Sequence, residues 1–572
     1  MARVAKWAKG AKGILRRPAD LAGLLGLYLY ALPSFWYPFA RDHPIHWYIG
    51  RGILEGEFPY VSALSTKGPL AFVVHAVATG LFGDGTQAIR VMDFLFLLGG
   101  VCVAVSFRPR VQAANGARSL PPAADGEFGA TALIAGTVHY TFFDFSDTGH
   151  PELWLGVLML WAAAVVVRAP DFRVSWQRAF WAGVVACLAV GIKHVGAFTG
   201  VIVGAGIVIL GLRESVGVAA RNALVYTLGV ASVLGAVLGA FWLGGHFDVF
   251  WDVMVVHILE YAGDSLPDQP GPPPWLRMEH GLFAMVAAVG GLAVGGAVAA
   301  VSGKKAWRFT GWFLTAMVAA AVGAVAAQHR ALESEVFTYY WVMVGPFLVA
   351  AVSWGLRMAF LRGPRWQFVA AMLLMALAVY YEPDGTHVNS WNYRAEWTSW
   401  YGYVRGERTF AEHHDPHRNS RLDHHVHMTE IASHIRNRRR PGDTLCIDGW
   451  LLELYVLTDM HCDSRFISRD FIPRTRPDWA AEHRAALEAS PPDFFVTFGD
   501  RRHRVREYER LGYVEHAMSY PDGARYAVME RVRDDEAEPE EAAVIDTAIE
   551  AVVEAAAVQE PESEPASDAG PE

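Results

Sequence analysis

A long apolar run, Leu21-Ala-Gly-Leu-Leu-Gly-Leu-Tyr-Leu-Tyr-Ala-Leu-Pro-Ser-Phe-Trp-Tyr-Pro-Phe-Ala40, is followed at once by Arg41-Asp-His-Pro-Ile-His-Trp-Tyr. Runs of about 17 to 25 apolar residues are long enough to cross a bilayer as a helix. Another apolar run extends from Pro69 to Phe82, so the segment between them places an acid, two histidines and Lys67 next to hydrophobic sequence. The boundary predicts a membrane-embedded chain that carries ionisable side chains at the membrane surface.

The rest of the chain supports a polytopic α-helical membrane protein. Of 572 residues, 53% are hydrophobic and only 19% are charged, and the mean hydropathy is +0.20. The first run follows a basic N-terminus and has no clear small-residue cleavage site, so we interpret it as a retained anchor. The sequence contains about ten to twelve candidate hydrophobic helices, near 19–39, 68–83, 86–107, 129–146, 150–168, 178–192, 195–212, 222–244, 280–301, 307–327, 336–356 and 366–381.

Basic residues near the ends of these runs predict the orientation. Lys and Arg concentrate on the cytoplasmic side of membrane proteins, and six of them precede the first run, which places the N-terminus inside. If 68–83 lies along the interface without crossing, every later basic cluster falls on the same side. These clusters are Arg108, Arg110 and Arg118; Arg168, Arg173 and Arg178; Arg213 and Arg221; Lys304, Lys305 and Arg308; and Arg357, Arg362 and Arg365. We therefore expect an integral, multi-pass protein of the plasma (inner) membrane with everything after Tyr381 outside.

The predicted organisation has four parts. Residues 1–18 form a basic cytoplasmic N-terminus, and 19–381 form the transmembrane domain with an exterior first loop at 40–85. Residues 382–533 alternate strand and helix patterns, which predicts a C-terminal extracytoplasmic α/β domain. Its predicted strands include Thr444 to Asp448, Ser464 to Ser468, the continuous apolar run 493–498 and a closing hairpin at 513–531. Residues 534–572 contain fourteen acids without Lys or Arg, a composition typical of disorder.

The sequence does not decide the roles of the cysteine and histidine residues in the predicted extracytoplasmic domain. Cys446 and Cys462 lie where disulfides are permitted, but sequence separation alone does not establish a bridge. The exterior histidines, among them His413, His414 and His417, then His424, His425 and His427, lack a convincing metal-ligand spacing. We expect no metal site and no cofactor, and a divalent ion is left open without being indicated.

The order of residues in the first exterior loop resembles that of the GT-C superfamily of membrane glycosyltransferases. Asp42 is followed by Gly56-Glu-Phe-Pro-Tyr60, by Lys67-Gly-Pro, by Leu81-Phe-Gly and then by Arg90. The pattern is most similar to bacterial protein O-mannosyltransferase and aminoarabinose transferase sequences. Many of these have Asp-Glu where this chain has Asp42-His43. The likeness extends over roughly residues 15–530 and includes Gly183 to Lys193, Thr338-Tyr-Tyr to Pro346, and Pro441-Gly-Asp to Arg465-Phe.

The resemblance implies an inverting glycosyltransferase that moves a sugar from a polyprenyl-phosphate donor to a cell-envelope acceptor (glycan, lipid or protein) at the outer face. Its expected partners are this donor, the acceptor and the lipid bilayer, and no nucleic acid. Asp42 is the candidate catalytic base, since a carboxylate accepts the proton of a hydroxyl nucleophile. Cations stabilise the departing phosphate, and the candidates are Lys67, Arg330 and Lys193. Glu152, His150 and Tyr60 are candidate substrate-binding residues.

Each assignment has a structural alternative. Asp42 is also well placed to cap a helix that begins near Pro44, and Lys67 to extend towards lipid headgroups. Glu152 is also a first-turn acid favoured by the helix dipole, and Lys193 a residue that simply ends its helix. A transporter or flippase for lipid-linked glycans, or a non-catalytic assembly subunit, remains the alternative function. A transporter is expected to show internal repeats, and we find none in the sequence.

Overall fold

The protein divides into two compact units in a computed structural model, residues 1–426 and 427–572. The residues that the structure describes are 17–40, 42–107, 111–112, 118–119, 126–141, 143, 147–168, 173–260, 289–293, 296–297, 300, 305–331, 338–360, 364–380, 393–414, 425–473, 476–521 and 523–533. The acidic tail, predicted to be disordered, lies outside the described residues.

The first unit is built of helices. In chain order they are α1 (Pro18–Ala31), α2 (His43–Glu55), α3 (Pro69–Phe82), α4 (Thr86–Val105), α5 (Glu127–Thr141), α6 (Pro151–Val167), α7 (Trp176–Ile192), α8 (Gly196–Leu212), α9 (Val216–Leu243), α10 (Phe247–Trp251), α11 (Lys305–Ala331), α12 (Gly345–Ala359), α13 (Pro364–Tyr380), α14 (Tyr393–Val404) and α15 (Phe410–His414). Short 3-10 segments, Leu32–Trp36 and Thr338–Val344, follow α1 and precede α12. A two-stranded ribbon pairs β1 (Val111–Gln112) with β2 (Arg118–Ser119).

Several of these helices have the length and composition of membrane spans. Four described segments are long and apolar enough to cross a bilayer, namely Thr86–Val105, Val216–Leu243, Arg308–Val325 and Tyr340–Ala359. Shorter apolar helices accompany them, including α3, α6, α7 and α8. The prediction of a polytopic helical membrane protein is confirmed. Helix α3 has 14 residues, or about 21 Å at 1.5 Å per residue, which is shorter than the hydrocarbon core. We predict that α3 does not cross the membrane, and this stays a prediction. The orientation of the chain also stays a prediction.

Glycines allow two pairs of helices to approach closely. Helices α7 and α9 pack together, and a Cβ at Gly183 would collide with the carbonyl of Tyr226, while one at Gly229 would collide with the carbonyl of Phe180. Helices α1 and α5 meet in the same way at Gly23 and Gly129. Inside lipid the hydrophobic effect does not drive helices together. Close van der Waals packing at small residues such as these drives their association instead.

The second unit is a small α/β domain. Its sheet has the order β3-β4-β6-β5, formed by β3 (Leu445–Asp448), β4 (Phe494–Phe498), β5 (Tyr513–Ser519) and β6 (Arg525–Arg531). Strands β3 and β4 are parallel, and the other neighbours are antiparallel. Its helices are α16 (His425–Arg436), α17 (Glu453–Thr458), α18 (Pro477–Ala489) and α19 (Arg502–Arg510). Every residue of β3 and β4 is buried, as their continuous apolar sequence predicts.

Two details of this unit could not be settled by pattern alone. The predicted strand from Ser464 to Ser468 is wrong: only Ser468 bridges to Ile447, and the preceding residues bend. Cys446 and Cys462 form a disulfide with Cα atoms 5.4 Å apart. The bridge joins β3 to Cys462, two residues before the segment where the strand was expected.

The boundary between the compact units lies after Val426, whereas the sequence suggested a new domain from residue 382. Helix α14 packs with the first unit: the Tyr393 hydroxyl donates to the Tyr30 carbonyl at 2.9 Å, and the rings of Trp36 and Trp400 lie 5.5 Å apart. The predicted limits of the functional domains stay predictions.

We expect Gly229→Leu to lower the free energy of unfolding by about 1–3 kcal/mol, because the side chain forces α7 and α9 apart. Thermal denaturation of the detergent-purified protein, followed by size-exclusion chromatography, measures the effect. Gly235→Leu on the same helix is the matched control, since no atom lies within 4 Å of a Cβ there. Equal stability of the two variants would contradict this packing.

Loss of the disulfide is expected to destabilise the second unit. The bridge closes a separation of 16 residues, for which the chain-entropy model gives about 3 kcal/mol. Cys446→Ser should therefore speed proteolysis within residues 427–533, measured by mass spectrometry of timed digests without reductant. Cys102→Ser, which changes a free cysteine, should leave that rate unchanged. Four alkylatable thiols in the denatured, unreduced protein would show that the bridge is absent.

Candidate active site

Asp42 lies at the start of α2, directly after the first hydrophobic helix and its 3-10 extension. Pro44 occupies the first turn of α2, and the Asp42 side chain makes no capping hydrogen bond. Its carboxylate is 23% exposed, and its Oδ2 lies 4.0 Å from Lys67 Nζ. The carboxylate thus faces another predicted site residue and remains accessible to water.

Glu152 joins the two candidate phosphate-binding lysines. It is fully buried in the first turn of α6, and its Oε1 accepts hydrogen bonds from Lys67 Nζ at 3.0 Å and Lys193 Nζ at 2.7 Å. Lys193 Nζ also lies 4.0 Å from the centre of the Tyr340 ring. Burial alone would lower the pKa of Lys67, but the carboxylates of Glu152 and Asp42 outweigh it and raise that pKa above its ordinary value. Lys67 is therefore an ammonium ion at neutral pH.

Backbone contacts fix the two lysines beside each other. The Gly68 N–H donates to the Ile192 carbonyl at 2.9 Å, so the residue after Lys67 is joined to the residue before Lys193. A Cβ at Gly68 would collide with the carbonyl of Gly191, which explains a glycine at this position. These contacts hold the loop before α3 against the end of α7.

Tyr60 supports the same loop. Its hydroxyl donates to the Lys67 carbonyl at 2.8 Å, and its fully buried ring stacks on Phe241 at 6.0 Å. The residue has a positive φ of 71°, a conformation uncommon outside glycine and held here by the surrounding packing. In this structure the side chain predicted to bind substrate orients Lys67.

Arg90 joins the segments that carry Asp42 and Glu152. Its guanidinium is almost fully buried and donates to the Pro38 carbonyl at 2.8 Å and to the Thr148 hydroxyl at 2.8 Å, as well as to the Thr148 carbonyl. Pro38 precedes Asp42 by four residues, and Thr148 precedes Glu152 by four. One side chain of α4 therefore sets the positions of both segments.

His150 belongs to a group of four buried imidazoles that we call the histidine cluster, formed by His43, His46, His75 and His150. The His150 Nδ1 lies 3.6 Å from Glu152 Oε2. Of the four, the sequence identified His150 as a site residue. The three-residue spacing of His43 and His46 places both on one face of α2. This spacing was visible in the sequence, but it did not indicate which residues the two side chains would contact.

Arg330, the remaining predicted site residue, lies on α11, and its side chain is outside the described residues. Within the described part of the chain, no group of three or more His, Cys, Asp or Glu residues is arranged to hold a metal ion.

Comparison with known proteins identifies the fold. No family model matches the chain, and no curated protein matches its sequence. The crystal structure of ArnT from Cupriavidus metallidurans bound to undecaprenyl phosphate superposes with a TM-score of 0.56 at 14% identity, and covers 89% of this chain and 97% of ArnT. Its apo state gives 0.54 at 15% identity, with 92% and 98% covered. An Archaeoglobus fulgidus oligosaccharyltransferase gives 0.39 at 13% identity, with 88% and 72% covered, too low a score to carry an argument. The predicted GT-C fold is confirmed.

We expect Arg90→Met to lower the free energy of unfolding by about 2 kcal/mol or more, because it leaves buried acceptors on Pro38 and Thr148 unsatisfied. Thermal denaturation in detergent measures the change. Arg51→Met, which removes an exposed pair with Glu55 on α2, is the control and should cost well under about 1 kcal/mol. Similar losses for both variants would contradict the role of Arg90 in holding the Pro38 and Thr148 segments together.

Proposed function

We propose that the protein is a membrane glycosyltransferase that moves a sugar from a polyprenyl-phosphate donor to a hydroxyl acceptor of the cell envelope, with inversion at the anomeric carbon. The observation that carries the proposal is the convergence of Asp42, Lys67, Lys193 and Glu152 in one place. The similar ArnT structure contains undecaprenyl phosphate, which supports a lipid phosphate as the ligand of this fold.

The two lysines supply the phosphate-binding end of the site. A polyprenyl phosphate gains negative charge as its bond to the sugar breaks, and fixed cations stabilise that charge in the transition state. Glu152 accepts a hydrogen bond from each lysine, which sets both side chains in place before the donor arrives. Arg330, on α11, is proposed as a third cation of this end.

Asp42 acts as the base in this mechanism. In the resting arrangement its carboxylate is near Lys67, at 4.0 Å. A donor phosphate that binds Lys67 competes for the same ammonium and frees the Asp42 carboxylate to accept the proton of the acceptor hydroxyl. The acceptor oxygen then forms its bond to the anomeric carbon while the bond to the phosphate oxygen breaks, and a single displacement of this kind inverts the centre.

Glu152 combines orientation with substrate binding. Its Oε1 is occupied by the lysines, whereas its Oε2 has no hydrogen bond among the described residues. A phosphate bound at the lysines lies next to Glu152. We therefore assign a hydroxyl group of the attached sugar to this oxygen. The orientation of the lysines and the capture of a hydroxyl are thus two functions of one carboxylate.

We expect Asp42→Asn to reduce sugar transfer by roughly 10²–10⁴-fold, since the amide no longer accepts a proton. Stability should change little, because Asp42 makes no capping hydrogen bond. The measurement is transfer by full-length protein from a panel of polyprenyl-phosphate sugars to envelope glycans, lipids and proteins. Undecaprenyl phosphate binding, measured in parallel, should be retained or strengthened, because the carboxylate that competes for Lys67 is removed.

Asp84→Asn is the matched control, since it removes an exposed acid of the same predicted exterior loop and should leave transfer unchanged. Lys67→Met should weaken undecaprenyl phosphate binding in the folded protein. A folded Asp42→Asn protein with the wild-type transfer rate would refute the proposed mechanism.

A further inference from the structure

The histidine cluster forms a continuous polar layer next to the lysines. Its four side chains are at most 2% exposed. The rings of His43 and His150 lie 4.4 Å apart, those of His46 and His150 6.2 Å, and those of His46 and His75 5.4 Å. The layer continues to Trp154, whose ring is 5.3 Å from His75. It connects to the phosphate end through Glu152, which lies beside His150.

Several buried polar atoms of this layer make no hydrogen bond. Among the described residues, His43 Nε2, His46 Nδ1, His75 Nε2, Trp154 Nε1 and Glu152 Oε2 are buried and have no hydrogen-bond partner. A buried polar atom left unsatisfied costs about 1–3 kcal/mol. Five of them beside one another indicate that a polar ligand completes the layer.

The unsatisfied atoms are a mixture of donors and acceptors. His43 Nδ1 accepts from the Ala40 N–H at 3.2 Å, so in the neutral ring the proton is on Nε2, which is a donor. Trp154 Nε1 is also a donor, and Glu152 Oε2 is an acceptor. A hydroxyl group both donates and accepts, so a polyhydroxylated ring matches such a set of atoms.

The charge of the layer selects against a cationic ligand. Burial, and then the neighbouring imidazoles, hold the pKa of His43 well below its ordinary value; burial, His75 and Lys67 do the same for the pKa of His46. Both rings are therefore neutral at pH 7. Within the layer the carboxylate is that of Glu152, which is already bonded to Lys67 and Lys193, so the layer itself offers no free carboxylate to the ammonium of an amino sugar.

We propose that the histidine cluster, with Trp154 and Glu152 Oε2, is the subsite for the sugar of the donor, and that it selects a neutral, hydroxylated hexose or pentose over an amino sugar. This inference rests on the proposed function and adds the class of sugar to it. A phosphate bound at Lys67 and Lys193 is one oxygen away from the anomeric carbon. The adjacent subsite therefore receives the ring.

The test compares the affinity of full-length protein for undecaprenyl phosphate with and without an attached sugar. Asp42→Asn protein is used, so that donors bind without turnover. Undecaprenyl-phosphate mannose, arabinose and 4-amino-4-deoxyarabinose are measured against sugar-free undecaprenyl phosphate. We expect the neutral sugars to bind at least tenfold more tightly than the sugar-free lipid, and the amino sugar to lose this gain.

His75→Phe and His46→Phe in the same background should each reduce the gain from the sugar by about threefold to tenfold, as expected for a lost hydrogen bond. Affinity for the sugar-free lipid should not change. Thermal stability should be retained or increased, because each variant removes an unsatisfied buried atom. His75→Leu covers the case in which the larger phenyl ring disturbs folding. His434→Phe, in the second unit, is the control.

The two proposals fail in different ways. If neither the sugar-free lipid nor any donor binds, the proposed function is wrong. If the lipid phosphate binds but no sugar adds affinity, or the amino sugar binds as tightly as the neutral sugars, the subsite is wrong and the phosphate site stands. Unchanged sugar affinity in folded His75→Phe and His46→Phe proteins would also overturn the subsite.

Discussion

A buried carboxylate shared by two lysines is the interaction on which the rest of the site depends. Glu152 comes from the first turn of α6, Lys67 from the loop before α3, and Lys193 from the end of α7. An isolated buried charge is costly, and removal of one partner from such a group is strongly destabilising. The three segments are therefore held together by charge as well as by packing, at the proposed phosphate site.

The surrounding contacts make this group rigid. The Gly68 to Ile192 hydrogen bond aligns the two lysine-bearing segments, and Arg90 fixes the segments that carry Asp42 and Glu152. Both sets of hydrogen bonds involve backbone carbonyls. They therefore fix the path of the main chain and not only the rotamer of one side chain. Groups that are already oriented need little reorganisation when charge develops during a reaction.

Much of this arrangement was accessible from the sequence. Apolar runs and turn residues predicted the helical membrane protein, the α/β unit and most of its strands, because these are local patterns. Lys67, Glu152, Lys193 and His150 were identified as candidates for one exterior site. Their contacts with one another were not predicted, since 85 residues separate Lys67 from Glu152 and 41 separate Glu152 from Lys193. The clamp made by Arg90, the group formed by His43, His46 and His75, and the Cys446–Cys462 bridge depend in the same way on contacts between distant segments.

The proximity of Asp42 to Lys67 has a consequence for the order of events. In the resting protein the two groups attract each other across 4.0 Å, so the carboxylate that we propose as the base is partly neutralised by the ammonium that we propose binds phosphate. Arrival of a phosphate gives Lys67 a third anion beside Glu152 and Asp42, which weakens its attraction to Asp42. In the proposed mechanism the base therefore becomes most available once the donor is in place, so that a hydroxyl is activated only where an anomeric carbon can receive it. A water molecule that enters the empty site meets a base still paired with its lysine.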